Sequence, residues 1–138
     1  MQQQDDVKIG AHQLHFEPPD TLVATFSGLI TLDEVKRTSE LYQQTFEHHG
    51  RYYLIADIGQ SHLEPAGRKY LAESCRAEWV HAIIFVGANL LQQTFGKAIA
   101  LAMLFTGKST FDTTFVKTVD EARDYVAQHR ARRQRKAG

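Results

Sequence analysis

Asp57 stands near the end of the apolar run Tyr53-Leu-Ile-Ala-Asp-Ile58. A carboxylate at the carboxyl end of a buried strand sits where open α/β sheets gather ligands, which makes Asp57 a candidate phosphoacceptor. That chemistry also needs a hard Mg²⁺ ion held by several oxygen ligands. The stretch His15-Phe16-Glu17-Pro18 supplies one carboxylate of the required pair, and Lys117 is a candidate for the late-strand cation. The metal site is incomplete, so the simpler reading of Asp57 is an aspartate that bonds backbone N–H groups of a Gly59-Gln60 turn. Ser61, a few residues on, is a second weak phosphoacceptor candidate.

Seven histidines (12, 15, 48, 49, 62, 81 and 129) raise the question of a transition metal, because neutral imidazole is a common ligand. Their spacing argues against it. His12 and His15 are three apart in a β-compatible run and point to opposite faces, while His48-His49 end a helix, where a cation favours the dipole. Cys75 is the only cysteine, so no internal disulfide is possible; without a Cys or His at motif spacing it reads as a buried structural thiol. No serine lies in a Gly-x-Ser-x-Gly elbow. Gly107-Lys-Ser-Thr110 shares the ending of a phosphate loop but has no glycine five positions earlier and follows a helix instead of a strand. The basic end, with Arg130, Arg132, Arg133, Arg135 and Lys136, lacks interleaved aromatics and reads as a solvated tail, not a nucleic-acid site. No catalytic residue, cofactor or metal is expected.

The elements that would position these residues follow from periodicity. His12–Phe16 and Thr21–Phe26 are β-compatible runs separated by Glu17-Pro-Pro-Asp20, a turn, and Ser27-Gly28 closes the second run. Thr31-Leu-Asp-Glu34 has capping-box spacing and opens a helix whose apolar face (Leu32, Val35, Tyr42, Phe46) ends at His48-His49-Gly50. Tyr53–Ile58 is a central strand. Pro65 opens a second helix running to about Trp79, and His81–Gly87 is the next buried strand. Asn89 caps a third helix to about Phe105, stopped by Thr106-Gly107. Phe115–Val119 is a last short strand, and Thr118-Val-Asp-Glu121 caps the final helix.

This order, a hairpin followed by alternating helices and strands, predicts an α/β fold: a mainly parallel five-stranded sheet with about four helices and an antiparallel first strand at its edge. Length and composition agree. The 138 residues, 43% hydrophobic and 23% charged, suit one domain with one core. Residues 1–10 read as a disordered polar start, 11–128 as the domain, and 129–138 as a basic tail. Sixteen cationic and sixteen anionic side chains cancel, which excludes a global attraction to nucleic acid or anionic membranes. The longest strongly apolar stretch, Ala98–Phe105, falls far short of the ~20 residues of a membrane span. The start has no basic segment followed by an apolar run, so a cytoplasmic location is expected.

The order of elements, together with Phe26-Ser-Gly28, Ile30-Thr-Leu-Asp-Glu-Val35, Leu54-Ile-Ala-Asp-Ile58, Glu64-Pro-Ala-Gly-Arg68 and Asp120-Glu-Ala-Arg-Asp-Tyr125, resembles the SpoIIAA-like branch of the STAS (anti-sigma-factor antagonist) superfamily over residues 12–128. The resemblance implies a domain that docks onto partner proteins and, in some members, binds nucleotides or lipidic ligands. It also implies, in the antagonist subgroup, a phosphorylated serine at the start of the helix after the central strand. Pro65 and Ala66 stand there, so the serine switch is not carried over.

The third helix is the stretch most informative about function. Its second half, Ala98–Phe105, is apolar around nearly the whole circumference, whereas a surface helix shows one stripe. The outer side must be covered by the final helix or the N-terminal segment, by a second copy, by a partner, or by a ligand. The expectation is a non-catalytic regulatory module, homodimeric and bacterial, whose interaction surface includes Glu64, Arg68, Leu91, Phe95, Ile99 and Met103. The alternative is a carrier or sensor of an apolar or acyl ligand, and the third reading is a receiver-like phosphoacceptor at Asp57.

Overall fold

A computed structural model of the chain describes residues 6–105 and 109–137. Within them the order is β1 (Asp6–Ile9), β2 (His12–Glu17), β3 (Thr21–Ile30), α1 (Leu32–His49), β4 (Tyr52–Leu63), α2 (Pro65–Ser74), a 3₁₀ turn (Ala77–Trp79), β5 (Val80–Val86), α3 (Leu90–Met103), β6 (Asp112–Val116) and α4 (Val119–Ala137). The strands form one sheet in sequence order, antiparallel across β1–β2–β3 and parallel from β3 to β6.

The α/β class and the four helices agree with expectation, but the sheet has six strands among the described residues, not five. The extra strand comes from the supposedly disordered start: Val7 and Ile9 alternate with charged residues, Ile9 is buried, and the strand pairs with β2 through Ile9↔His12. At the other end residues 129–137 continue α4 instead of forming a tail. Two of its cations are held: Arg130 makes a two-pronged pair with Asp20, and Arg133 donates to the Tyr53 hydroxyl. Two boundaries also move. The second helix stops at Ser74 and the chain reaches Trp79 through the 3₁₀ turn, while the last strand is Asp112–Val116, beginning before Phe115 and ending before Val119. The helix stop expected at Thr106-Gly107 and the Gly107-Lys108 part of the phosphate-loop echo lie outside the described residues.

Alternation along β3 and β4 divides the core into two layers. Leu22, Ala24 and Phe26 with Tyr52, Leu54 and Ala56 face α1, α2 and α3, packing with Val35, Tyr42, Cys75 and Met103. Val23, Tyr53 and Ile55 face the other way, against Ala122 and Val126 of α4. Both faces of the central strands are buried, which is why Tyr53–Ile58 reads as a continuous apolar run broken only by Asp57. α4 therefore lies across the sheet from α3 and does not cover it.

β3 and β4 both outrun β5. Thr25 pairs with Asp57 but Ser27 with Gln60, so β4 carries one extra residue, a bulge at Ile58-Gly59, and then continues paired with β3 to Leu63. Gly59 permits a close approach there. A Cβ on it would stand 3.1 Å from the Gly87 carbonyl oxygen at the end of β5. The bulge reverses the parity of β4, so Ile58 and then Ser61 and Leu63 face the side of α1–α3.

Candidate functional site

The N-terminus of α3 is fixed by side chains. Asn89 accepts from the Gln92 N–H at 2.8 Å, and Gln92 Oε1 accepts from the Asn89 N–H at 2.9 Å. The Gln92 amide then donates to the carbonyls of Ile58 and Ser61 at 3.0 and 3.1 Å, tying the helix to the bulged end of β4. One turn further on, Gly96 lets the helix approach the stacked rings of Phe85 and Phe115, whose centroids are 5.2 Å apart; a Cβ here would meet them at 3.1 and 3.3 Å.

Between these attachments and the sheet lies a cavity of about 220 Å³. Its floor is Phe26, Leu54, Ala56, Ile58, Ile83 and Phe85 of the sheet. Val35 and Tyr42 of α1 wall one side, Arg68 and Leu71 of α2 another, and Leu91, Phe95, Ile99 and Met103 of α3 the third. Tyr52, Cys75 and Trp79 line its inner end.

The titratable groups of that inner end are held neutral. Burial pushes the Cys75 thiol up to about 12, against the opposing hydroxyls of Ser74 and Ser39. Burial likewise raises the Tyr42 and Tyr52 phenols, and Tyr52 donates its proton to the Tyr42 carbonyl at 2.9 Å. A thiol so placed is a poor nucleophile, since the thiolate is the reactive form. The Ser61 hydroxyl is occupied as well, donating to the Ile58 carbonyl at 2.8 Å.

Arg68 is the one cation in the lining. Its Nη1 donates to the Leu63 carbonyl at 3.1 Å, and its Cζ lies 3.9 Å from the centroid of Phe95, so the guanidinium stacks on a ring across the gap between α2 and α3.

Of the residues expected to form an interaction surface, Arg68, Leu91, Phe95, Ile99 and Met103 all line this cavity. Met103, 3% exposed, belongs to the core and not to an outer surface. Glu64 is also withdrawn from docking: its Oε1 accepts from the Leu32 N–H at 3.0 Å, serving the first turn of α1. The outward apolar residues of α3 and the turn after it are Leu90, Leu91, Leu101, Leu104 and Phe105, with Phe105 82% exposed. A helix apolar on all sides hides its own phase, so the sequence could not say which residues face outward.

The receiver-like constellation is not assembled. Asp57 lies midway along β4, at the last pairing with β5, whereas Glu17 pairs with Thr21, and Thr21 with Tyr53, near the start of the strand. Glu17 is engaged there by Arg123 at 2.7 Å and by His15 at 2.9 Å. Among the described residues no group of three His, Cys, Asp or Glu side chains is placed to hold a metal ion. Nor is any helix among them long and apolar enough to cross a membrane.

A role that the sequence did not reveal belongs to His12. Its ring is wholly buried, accepts the Ser27 N–H at Nδ1 (3.0 Å) and reaches Glu34 Oε1 from Nε2 (2.9 Å). Nothing in the local pattern distinguishes it from an exposed strand histidine; the only available signal was the neighbouring capping box at Thr31-Glu34.

No protein-family model and no curated protein matches the sequence. Two solved structures are similar in fold. The anti-sigma factor antagonist SpoIIAA in its unphosphorylated form is 13% identical, with a TM-score of 0.56 over 85% of this chain and 98% of that one. An uncharacterised DUF3478-family protein with a SpoIIAA-like fold from Shewanella loihica PV-4 is 15% identical, with a TM-score of 0.56 over 83% of this chain and 91% of that one. The chain has a SpoIIAA-like fold.

Proposed function

We propose that the chain is a non-catalytic regulatory module of STAS type that docks onto protein through the outer face of α3, with a second copy of itself as the first partner. The observation that carries this reading is the row Leu90, Leu91, Leu101, Leu104 and Phe105, all exposed on one helix and its exit. An apolar strip of this kind is costly in water and is characteristic of interaction sites. The start of α2 offers Pro65 and Ala66, neither of which has a hydroxyl, so docking here works without a phosphoserine at that position. Light scattering on the eluting peak at micromolar concentration tests the idea. The expected mass is twice 15.7 kDa, reduced to the monomer by Leu101→Glu with Phe105→Glu. A monomeric native chain under those conditions overturns self-docking.

A second reading is favoured by the cavity itself. About 220 Å³ of space bounded largely by Leu, Ile, Phe and Met side chains supports a small apolar ligand held between α2, α3 and the sheet. Native mass spectrometry of protein taken from cells tests it; a mass increment that disappears on denaturation is the expected result, and its absence in protein that also fails to bind added apolar probes counts against a carrier or sensor.

A further inference from the structure

We propose that Arg68 makes this cavity a site for an amphiphilic monocarboxylate, whose apolar tail enters beneath α3 while its carboxylate pairs with the guanidinium. The inference rests on the ligand-binding reading above and adds the head group to it.

Three observations converge. The first is charge: Arg68 is the only Lys or Arg in a mostly apolar lining that also includes Ser61, His62 and Gln92, and among the described residues no carboxylate forms an ion pair with it. Glu64, one helical turn before it, is turned away to the Leu32 N–H. Arg68 is half-buried, and a guanidinium partly withdrawn from water at the edge of apolar surface is complementary to an anion.

The second is geometry. The guanidinium lies on the face of Phe95 at 3.9 Å, a contact that leaves its in-plane N–H groups available, and the bond to Leu63 uses one of its five donors. A planar fork with free donors fits a carboxylate two-pronged, and Phe95 positions it at the gap between the two helices.

The third is size. A cavity of about 220 Å³ exceeds the ~150 Å³ that accepts benzene but falls below the ~300–1,000 Å³ of pockets for drug-sized ligands. A single chain of medium length fits; a two-chain lipid does not.

Trp79 lines the cavity and is the only tryptophan, so its emission reports filling. The test titrates octanoate and 1-octanol, below their aggregation limits and near neutral pH, into the full chain and its variants. Octanoate is expected to bind at least about tenfold more tightly than octanol, the advantage of one charge-assisted pair. Arg68→Gln should abolish the difference by weakening octanoate selectively relative to octanol, and Arg68→Lys should keep part of it. Ile99→Phe, which fills the cavity, should weaken both ligands together. Equal affinity of acid and alcohol for the native chain overturns the carboxylate assignment while leaving the apolar site standing, as does an acid preference that survives Arg68→Gln. Binding of neither ligand, or binding indifferent to Ile99→Phe, overturns the cavity reading as well.

Discussion

His12 Nε2 stands 2.9 Å from Glu34 Oε1, a bond that runs from a wholly buried imidazole on β2 to the first turn of α1. Because Nδ1 accepts the Ser27 N–H at 3.0 Å, the ring is the neutral tautomer with its proton on Nε2, donating to Glu34. The same Glu34 oxygen accepts the Thr31 N–H at 3.0 Å, and Thr31 Oγ1 accepts the Glu34 N–H at 3.2 Å. A local helix cap is thereby joined to the antiparallel edge of the sheet.

Replacing His12 should therefore cost more than its unremarkable sequence context suggests. His12→Ala removes a ring packed 5.4 Å from Phe26 and strips Glu34 of a buried donor. A loss of about 2–4 kcal/mol in urea unfolding is expected, combining a cavity with a broken charge-assisted bond. Glu34→Gln, which can still accept from Thr31, should cost about 1 kcal/mol.

Stability should fall with acid in two stages. His81 is pushed down to about 4 by burial and by the nearby charges of Arg133 and Arg51, with Asp20 opposing and His129 adding slightly. The unfolded chain then takes up this proton first, so stability declines as the pH drops from 6.5 toward 4. The second stage belongs to the carboxylates. Glu34 is held low by the Thr31 N–H, Glu17 by the Arg123 hydrogen bond, and Asp20 by Arg130 and Arg133 against the opposing effect of burial. Lowered carboxylates stabilise the fold above their ordinary values, 4.5 for Glu and 3.8 for Asp, and lose that contribution as the pH falls through the depressed values. Urea midpoints across this range should show both stages, and His81→Gln should flatten the upper one alone.

The grip of α4 on the sheet should be unusually polar. Of its described residues Ala122 and Val126 are buried, Val119 and Tyr125 pack partly against them, and beyond these the attachment is a chain of bonds. Arg130 clasps Asp20 at 2.5 and 3.0 Å; the Tyr53 hydroxyl and His129 Nδ1 share a hydrogen bond of 2.8 Å; His129 Nε2 donates to Asp112 at 2.6 Å. Asp20→Ala should cost about 1–3 kcal/mol, between an exposed pair and a buried one, and should raise amide exchange along α4 before other elements. Arg130→Lys, keeping the charge without the fork, should lose roughly half as much.

These contacts mark the boundary of what the sequence could reveal. The caps at Thr31, Asn89 and Thr118 were legible because each is complete within four residues, and all three are present. Tyr53–Ile58 was legible because a strand buried on both faces is apolar at nearly every position, here at all but Asp57. β1 was not, since Val7 and Ile9 are two apolar residues among charges and only pairing with β2 makes them a strand. The last turns of α4 were read as a solvated tail because Arg130 and Arg133 find Asp20 more than a hundred residues earlier in the chain. The candidate site was half legible. The excess of apolar residues on the third helix pointed to it, but the bulge that brings Ser61 and Leu63 over the cavity, and the direction each α3 side chain faces, depend on tertiary register.

Paired substitutions on α3 should separate its two faces. Met103 is 3% exposed and lines the inner end of the helix, so Met103→Ala should cost about 2 kcal/mol, near the low end for such changes because the adjoining space already exists. Leu101, two residues away, is 58% exposed; Leu101→Glu should leave the urea midpoint of the monomer within about 0.5 kcal/mol of the native chain. The same Leu101→Glu should lower the mass of any self-associated species, whereas Met103→Ala should not. Comparable destabilisation by both would mean that the outer side of α3 is covered from within the chain. A change in assembly caused by Met103→Ala alone would place the docking face on the side of the helix that now faces the sheet.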